Sequence, residues 1–187
     1  QKARRQQRGL HLSDMLEILT AAKPIKPEAV RWRQAVHEAG HALADVALGL
    51  GPIIAISIDG PGGSAYVESK MPRPMVESEA FAESLLVSKL AGRAAEKIVF
   101  GFVTAGSGGV PASDLATATD LATSMETTMG FGSEWPLLYR QTDDHAALLI
   151  YNPLIAERVS ERLERVYGRA WELIRQNRGP HEALARS

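Results

Sequence analysis

The chain contains no cysteine, which excludes disulfides and thiolate metal sites and is compatible with a reducing compartment. No apolar run approaches the roughly 18 residues of a membrane span. Neither G-x-x-x-x-G-K-[ST] nor G-x-G-x-x-G occurs, so no nucleotide site is expected within the chain. Net charge is only −1, so neither nucleic acid nor an anionic membrane is an expected partner. The first residue is Gln1 rather than methionine and no signal-peptide pattern follows, as expected of a fragment or a processed product.

What is present fits an ordinary globular protein. The 187 residues are 45% hydrophobic and 23% charged, enough for one good-sized core, or for one domain with an appended segment. Its most informative stretch is Arg31-Trp32-Arg33-Gln34-Ala35-Val36-His37-Glu38-Ala39-Gly40-His41-Ala42-Leu43-Ala44-Asp45. The centre reads H-E-x-x-H. On a helix His37 and His41 lie one turn apart and within roughly 40° of each other, so both imidazoles can bind one metal ion. Glu38 points to the same side and can take a proton from water activated there.

The surrounding residues support a helix that lines a cleft. Arg31, Gln34, His37, Glu38, His41 and Asp45 share a polar stripe, while Trp32, Val36, Leu43, Val46 and Leu50 take the opposite face. Lys26-Pro27-Glu28 reads as its start, and Gly49 and Gly51 as its stop. The competing reading is two histidines on a solvated helix face.

Elsewhere the pattern is mainly helical. Lys2, Arg4, Arg5 and Arg8 belong to a basic, solvated tail. Leu12 to Leu19 reads as a short capped helix, and residues 21–26, with Pro24, as a linker. Residues 53–59 and 64–68 alternate like two strands joined by Gly60-Pro61-Gly62-Gly63, which predicts a hairpin. A helix is expected over 75–100 with Phe81, Leu85, Leu86, Leu90, Ala94 and Ile98 inward and Gly101 as its stop. A loop with Gly106, Gly108 and Gly109 precedes a helix from Ser113-Asp114 to Met129, ended by Gly130. Trp135-Pro136 and Asp143-Asp144 punctuate the next stretch. From Pro153 a long helix runs to about Arg178, with Ile155, Val159, Leu163, Val166, Ala170 and Ile174 buried and Glu161 paired with Arg165. No internal repeat is visible.

A catalytic zinc takes three protein ligands and keeps one position open. Asp45 lies eight residues beyond His37, roughly 12 Å along the axis, too far for metal bonds near 2 Å. Glu68, Glu96, Asp114, Asp120, His145 and His181 remain. Glu96 and Asp120 also read as surface acids of helices, and Asp114 as part of a helix cap. Spacing leaves this choice open.

Three ordered stretches carry a resemblance. They are His37-Glu38-Ala39-Gly40-His41-Ala42-Leu43, Leu90-Ala91-Gly92-Arg93-Ala94-Ala95-Glu96-Lys97-Ile98-Val99-Phe100-Gly101, and Ser113-Asp114-Leu115-Ala116-Thr117-Ala118-Thr119-Asp120-Leu121-Ala122, the last followed by Met129-Gly130-Phe131. Together they resemble the peptidase domain of the FtsH family of ATP-dependent zinc metalloproteases (AAA proteases). The likeness runs from about Lys26 to Leu184, and residues 1–25 resemble the tail of a preceding ATPase module. The resemblance implies a mainly α zinc-peptidase domain over 26–187, with a small β-hairpin next to the H-E-x-x-H helix. It implies one zinc per chain held by His37, His41 and Asp114, with Glu38 catalytic and Glu96 a supporting acid near the site. ATP would enter only through an ATPase domain outside this chain. The implied setting is a homo-hexamer on the cytoplasmic side of a bacterial inner membrane, degrading unfolded or membrane proteins.

The likeness is that of an outlying member. The loop before Asp114 is longer than usual, Ser113 stands where asparagine is usual, and the hairpin residues from Ile56 to Val67 diverge. Type alone offers Tyr66 and His145 as oxyanion donors. A rival expectation is a catalytically inactive helical assembly module retaining a structural zinc. Another is a stand-alone peptidase for short peptides.

Overall fold

A computed structural model of the chain describes residues 7–9, 11–20, 26–60, 64–70, 78–142 and 144–187. Most of the basic tail, the linker at 21–25, the turn residues 61–63, the start of the helix expected from 75 and Asp143 lie outside the described residues. The architecture is mainly α with one small antiparallel hairpin. None of the described helices is long and apolar enough to cross a membrane.

Helix α1 spans Leu12–Thr20 and α2 spans Glu28–Ala47. Pro27 sets the start of α2 with φ −52, and Glu28 occupies its first turn, where a negative charge suits the helix dipole. Gly49 follows its end at φ +67, a left-handed turn that glycine adopts without strain. Trp32, Val36, Leu43 and Leu50 face inward as expected. Val46 does not: it is 64% exposed, and the polar stripe is in turn covered at its centre. His37, Glu38 and Asp45 are all buried.

Strands β1 (Ile53–Ser57) and β2 (Tyr66–Ser69) pair antiparallel, with Ile56 opposite Val67 and Ser57 opposite Tyr66. Both are shorter at the turn end than the alternation predicts. Helix α3 spans Glu79–Phe100, capped by Ser78, whose hydroxyl accepts from Phe81 N–H, and ended by Gly101 at φ +78. Of its expected stripe, Leu86, Leu90 and Ala94 are buried, and Val87, Ala91 and Ala95 join them. The burial extends so far round because α3 is the central helix, packed against α2, against α4 (Asp114–Thr127) and against α6 (Pro153–Gln176). Each fully buried aliphatic side chain here contributes on the order of 1.5–3 kcal/mol.

Gly40 sets how closely α2 and α3 approach. A Cβ there would come within 2.8 Å of the Ala91 carbonyl oxygen and 2.9 Å of Ala95 Cβ. Helix α4 starts one residue after the Ser113 cap and ends at Thr127, short of Met129, with Gly130 at φ +72. Helix α5 spans His145–Tyr151, and the long C-terminal helix is broken at Asn177 into α6 and α7 (Arg178–Arg186).

In α6, Ile155, Val159, Val166, Ala170 and Ile174 are buried, but Arg162 is buried while Leu163 is only half-covered. The Arg162 guanidinium donates to Glu126, Glu79 and the Phe131 carbonyl, each at 2.8 Å, tying three elements together. The expected Glu161–Arg165 pair does not form: Arg165 donates to Glu83 of α3 at 2.9 Å and Glu161 accepts from Arg158. A cross-helix partner has displaced the local one.

Helix α7 packs on α2 through His181, which is fully buried. Its Nε2–H donates to the Val36 carbonyl at 2.9 Å, and its Nδ1 has no partner among the described residues. Burial lowers the His181 pKa below its ordinary 6.5, the Val36 bond opposing. The unfolded chain then takes up a proton near pH 6.5 that the folded one refuses, so stability falls as pH drops through that value. Urea unfolding of wild type and His181→Gln should show the gap in stability between them narrowing from pH 7.5 to 5.5. A gap independent of pH would acquit His181.

Candidate metal centre

Three helices meet at one cluster. Helix α2 supplies His37 and His41, with ring centroids 4.7 Å apart and planes at 74°. Helix α3 holds both rings from behind: His37 Nδ1 lies 2.8 Å from Glu96 Oε1, and His41 Nδ1 lies 2.8 Å from the Ser88 carbonyl. Both partners are acceptors, so each Nδ1 carries a proton and each Nε2 is turned toward the site, where its lone pair can go to a proton or to a metal. Helix α4 supplies Asp114 from its first position, with Oδ2 at 3.1 Å from His37 Nε2 and 3.4 Å from His41 Nε2. The two Nε2 atoms are 3.0 Å apart.

These separations fit one metal ion. Four donors placed tetrahedrally at bonds near 2.05 Å stand about 3.3 Å from each other, and the observed edges run from 3.0 to 3.4 Å. Three acceptor atoms this close repel unless a cation lies among them. The charge balance agrees. Burial alone would lower the His37 pKa, but the bonds to Asp114 and Glu96 raise it to about 9. Burial would raise the Asp114 carboxyl, yet the histidine bonds hold it well below the usual carboxylate range. A metal cation would take over the role of that proton.

Glu38, next to His37, is buried and lines the cavity in front of the cluster. Burial raises its pKa, with His41 and His37 pulling the other way. Among the described residues no hydrogen bond holds its carboxylate, so it is free to accept from a molecule in the cavity. This cavity, of about 520 Å³, is walled by Ala65, Tyr66 and Val67 of the hairpin on one side and by Thr104, Gly106, Val110 and Ala112 on the other.

The remaining candidates separate clearly. Glu96 is 2% exposed rather than a surface acid; its second oxygen accepts from Thr104 N–H at 2.8 Å, so it orients His37 and pins the loop. Glu68 faces outward from β2. Asp120 pairs with His145 at 3.2 Å on the outer face of α4, which removes His145 as an oxyanion donor. His181 belongs to the core. Asp45 accepts from Ser88 Oγ at 2.5 Å. Tyr66 does line the cavity.

Sequence reasoning missed Gly92. Glycine inside a helix costs about 1 kcal/mol relative to alanine, so its place in mid-α3 needs a reason. A Cβ there would fall 2.6 Å from His41 Nε2 and 2.7 Å from His37 Nε2. The rings cannot retreat without breaking their Nδ1 bonds. Gly92→Ala should therefore fold yet lose zinc affinity by roughly 10–100-fold, read by competition with a chelator. Unchanged affinity would show that the rings yield.

Residues 25–187 match the sequence model of peptidase family M41. The chain is 33% identical over 162 residues to the ATP-dependent zinc metalloprotease FtsH of Thermobaculum terrenum, covering 83% of this chain and 24% of that protein. It is 34% identical over 169 residues to FtsH 4 of Synechocystis, covering 81% of this chain and 26% of that one. Over 180 residues it is 28% identical to FtsH of Lactococcus lactis, covering 88% and 25%. The chain thus spans about a quarter of the length of these relatives. With the family matched across nearly all of it, the chain belongs to peptidase family M41, the peptidase domain of FtsH-type zinc metalloproteases.

Proposed function

We propose that the chain is an active zinc metalloendopeptidase domain, with one zinc held by His37, His41 and Asp114. The observation that carries this is the set of three donors with 3.0–3.4 Å edges beside a buried carboxylate, Glu38, that has no hydrogen-bond partner among the described residues. A structural zinc site has four protein ligands and is closed, whereas a catalytic one keeps a position for substrate. Among the described residues only three such donors converge, and this favours the active enzyme over an assembly module with a structural zinc.

When bound, zinc supplies the Lewis acidity that polarises the scissile carbonyl. The chain's own groups do the rest. Glu38 accepts a proton from the attacking water as its oxygen bonds to the carbonyl carbon, then gives it to the amine nitrogen as the C–N bond breaks. Glu96 and the Ser88 carbonyl keep both imidazoles turned with Nε2 toward the site. Among the described residues β2 pairs with β1 alone and it borders the cavity, so an extended substrate can add as a further strand, held through its backbone with little demand on side chains.

In this reading an attached ATPase delivers unfolded or membrane proteins, six chains form the chamber, and the whole works on the cytoplasmic side of a bacterial inner membrane. The names of the relatives support the ATP dependence. For the ring, exposed apolar residues are available at Leu137, Tyr139, Ile150 and Tyr151. The test is digestion of a casein-like protein and of a tightly folded one by the zinc-loaded chain. The first should be cut without ATP and the second spared, since unfolding it costs about 5–15 kcal/mol. Cleavage that survives a zinc chelator would refute the mechanism.

A further inference from the structure

The acids of the cleft are nearly all engaged: Asp114 with the histidines, Glu96 with His37 and Thr104, Asp45 with Ser88. Its two cations are not. Arg33 and Lys89 both line the cavity, and neither makes a hydrogen bond or ion pair with a described residue. Arg33 is half-buried, although burying part of a guanidinium without an acceptor is unfavourable.

Their placement follows from helix register. Arg33 sits one turn before His37 on α2. On α3, Ser88 lies against His41 and Glu96 against His37, so the two helices run antiparallel at the site. Lys89, next to Ser88, is therefore at the His41 end and Arg33 at the His37 end. The metal cluster lies between them. A peptide laid across the cluster along the β2 edge has its scissile bond at the centre and one cation toward either end.

We propose that Arg33 and Lys89 form carboxylate subsites on the two sides of the scissile bond, giving the enzyme a preference for substrates that carry acidic groups there. This rests on the peptidase reading above. Backbone pairing with β2 supplies sequence-independent affinity, and the two cations add a charge preference to it. The carboxylate can be an Asp or Glu side chain or, in a short product peptide, the terminal α-carboxylate.

The test uses the zinc-loaded protein and fluorogenic peptides of equal length, capped at both ends, with neutral, acidic or basic residues flanking one cleavage site. The acidic peptide should exceed the neutral one in kcat/KM by roughly five-fold, the scale of a solvent-exposed ion pair, and the basic one should fall below it. High salt should compress the spread. Because Lys89 also lies close enough to Glu38 to influence it, variants are judged by the acidic-to-basic ratio within each protein. Lys89→Glu and Arg33→Glu should each lower that ratio, and together invert it. A free-acid version of the neutral peptide separates the two sources: a gain on freeing the C-terminus shows the terminal carboxylate is accepted, a gain confined to internal acids shows the side chain is. If the neutral peptide is not cut at all, the peptidase reading fails. If it is cut but charge makes no difference, the peptidase stands and the subsites fall.

Discussion

Glu38→Gln is expected to keep its zinc and its fold while hydrolysis of an unfolded substrate drops by roughly 10²–10⁴-fold, the range attributed to a positioned general base. The substitution preserves shape and removes only the proton-accepting oxygen. No hydrogen bond is lost with it, since none holds the Glu38 carboxylate among the described residues. Burial already penalises its charged form, so the amide should unfold at the same temperature as wild type or slightly above. A loss of activity with no loss of stability or zinc is the signature of a group kept for chemistry. Turnover within a few-fold of wild type would remove Glu38 from the mechanism.

Asp114→Ala should have the second large effect, abolishing tight zinc binding and activity together. Two histidines would remain where three donors are needed, and the shared oxygen at 3.1 and 3.4 Å would be gone. Glu96→Gln is the informative contrast. Its amide can still accept from His37 Nδ1–H, but it no longer brings a full charge, and partners behind a ligand typically cost 10–100-fold in metal affinity. Chelator competition should therefore rank wild type above Glu96→Gln and Glu96→Gln above Asp114→Ala, with Glu96→Gln still active at saturating zinc. The reverse order would make Glu96 the ligand and Asp114 the support.

The features that could be read from the sequence are those set by local geometry. Residues four apart on a helix meet whatever surrounds them, so His37 and His41 were bound to share a face, with Glu38 beside them. The same holds for the Ser113 cap, the left-handed Gly101 and the hairpin at residues 53–69. The absence of phosphate-binding loops is equally local. Spacing could not choose among six candidate ligands, because distance along a chain with intervening loops says nothing about distance in space. Here the likeness to the FtsH family pointed to Asp114.

Only the packing of three helices brings Asp114 Oδ2 onto two Nε2 atoms and sends Asp120, six residues further along the same helix, to the outer face with His145. Packing likewise turned Glu96 inward, gave Gly92 its reason, buried Arg162 in a ring of acids, and took Arg165 from Glu161 to Glu83. An isolated α3 or α6 has no inside, and each of these roles exists only once another helix covers it. A buried polar group must find its partner wherever the fold offers one, and that partner is 59 positions away for His37 and 36 for Arg162.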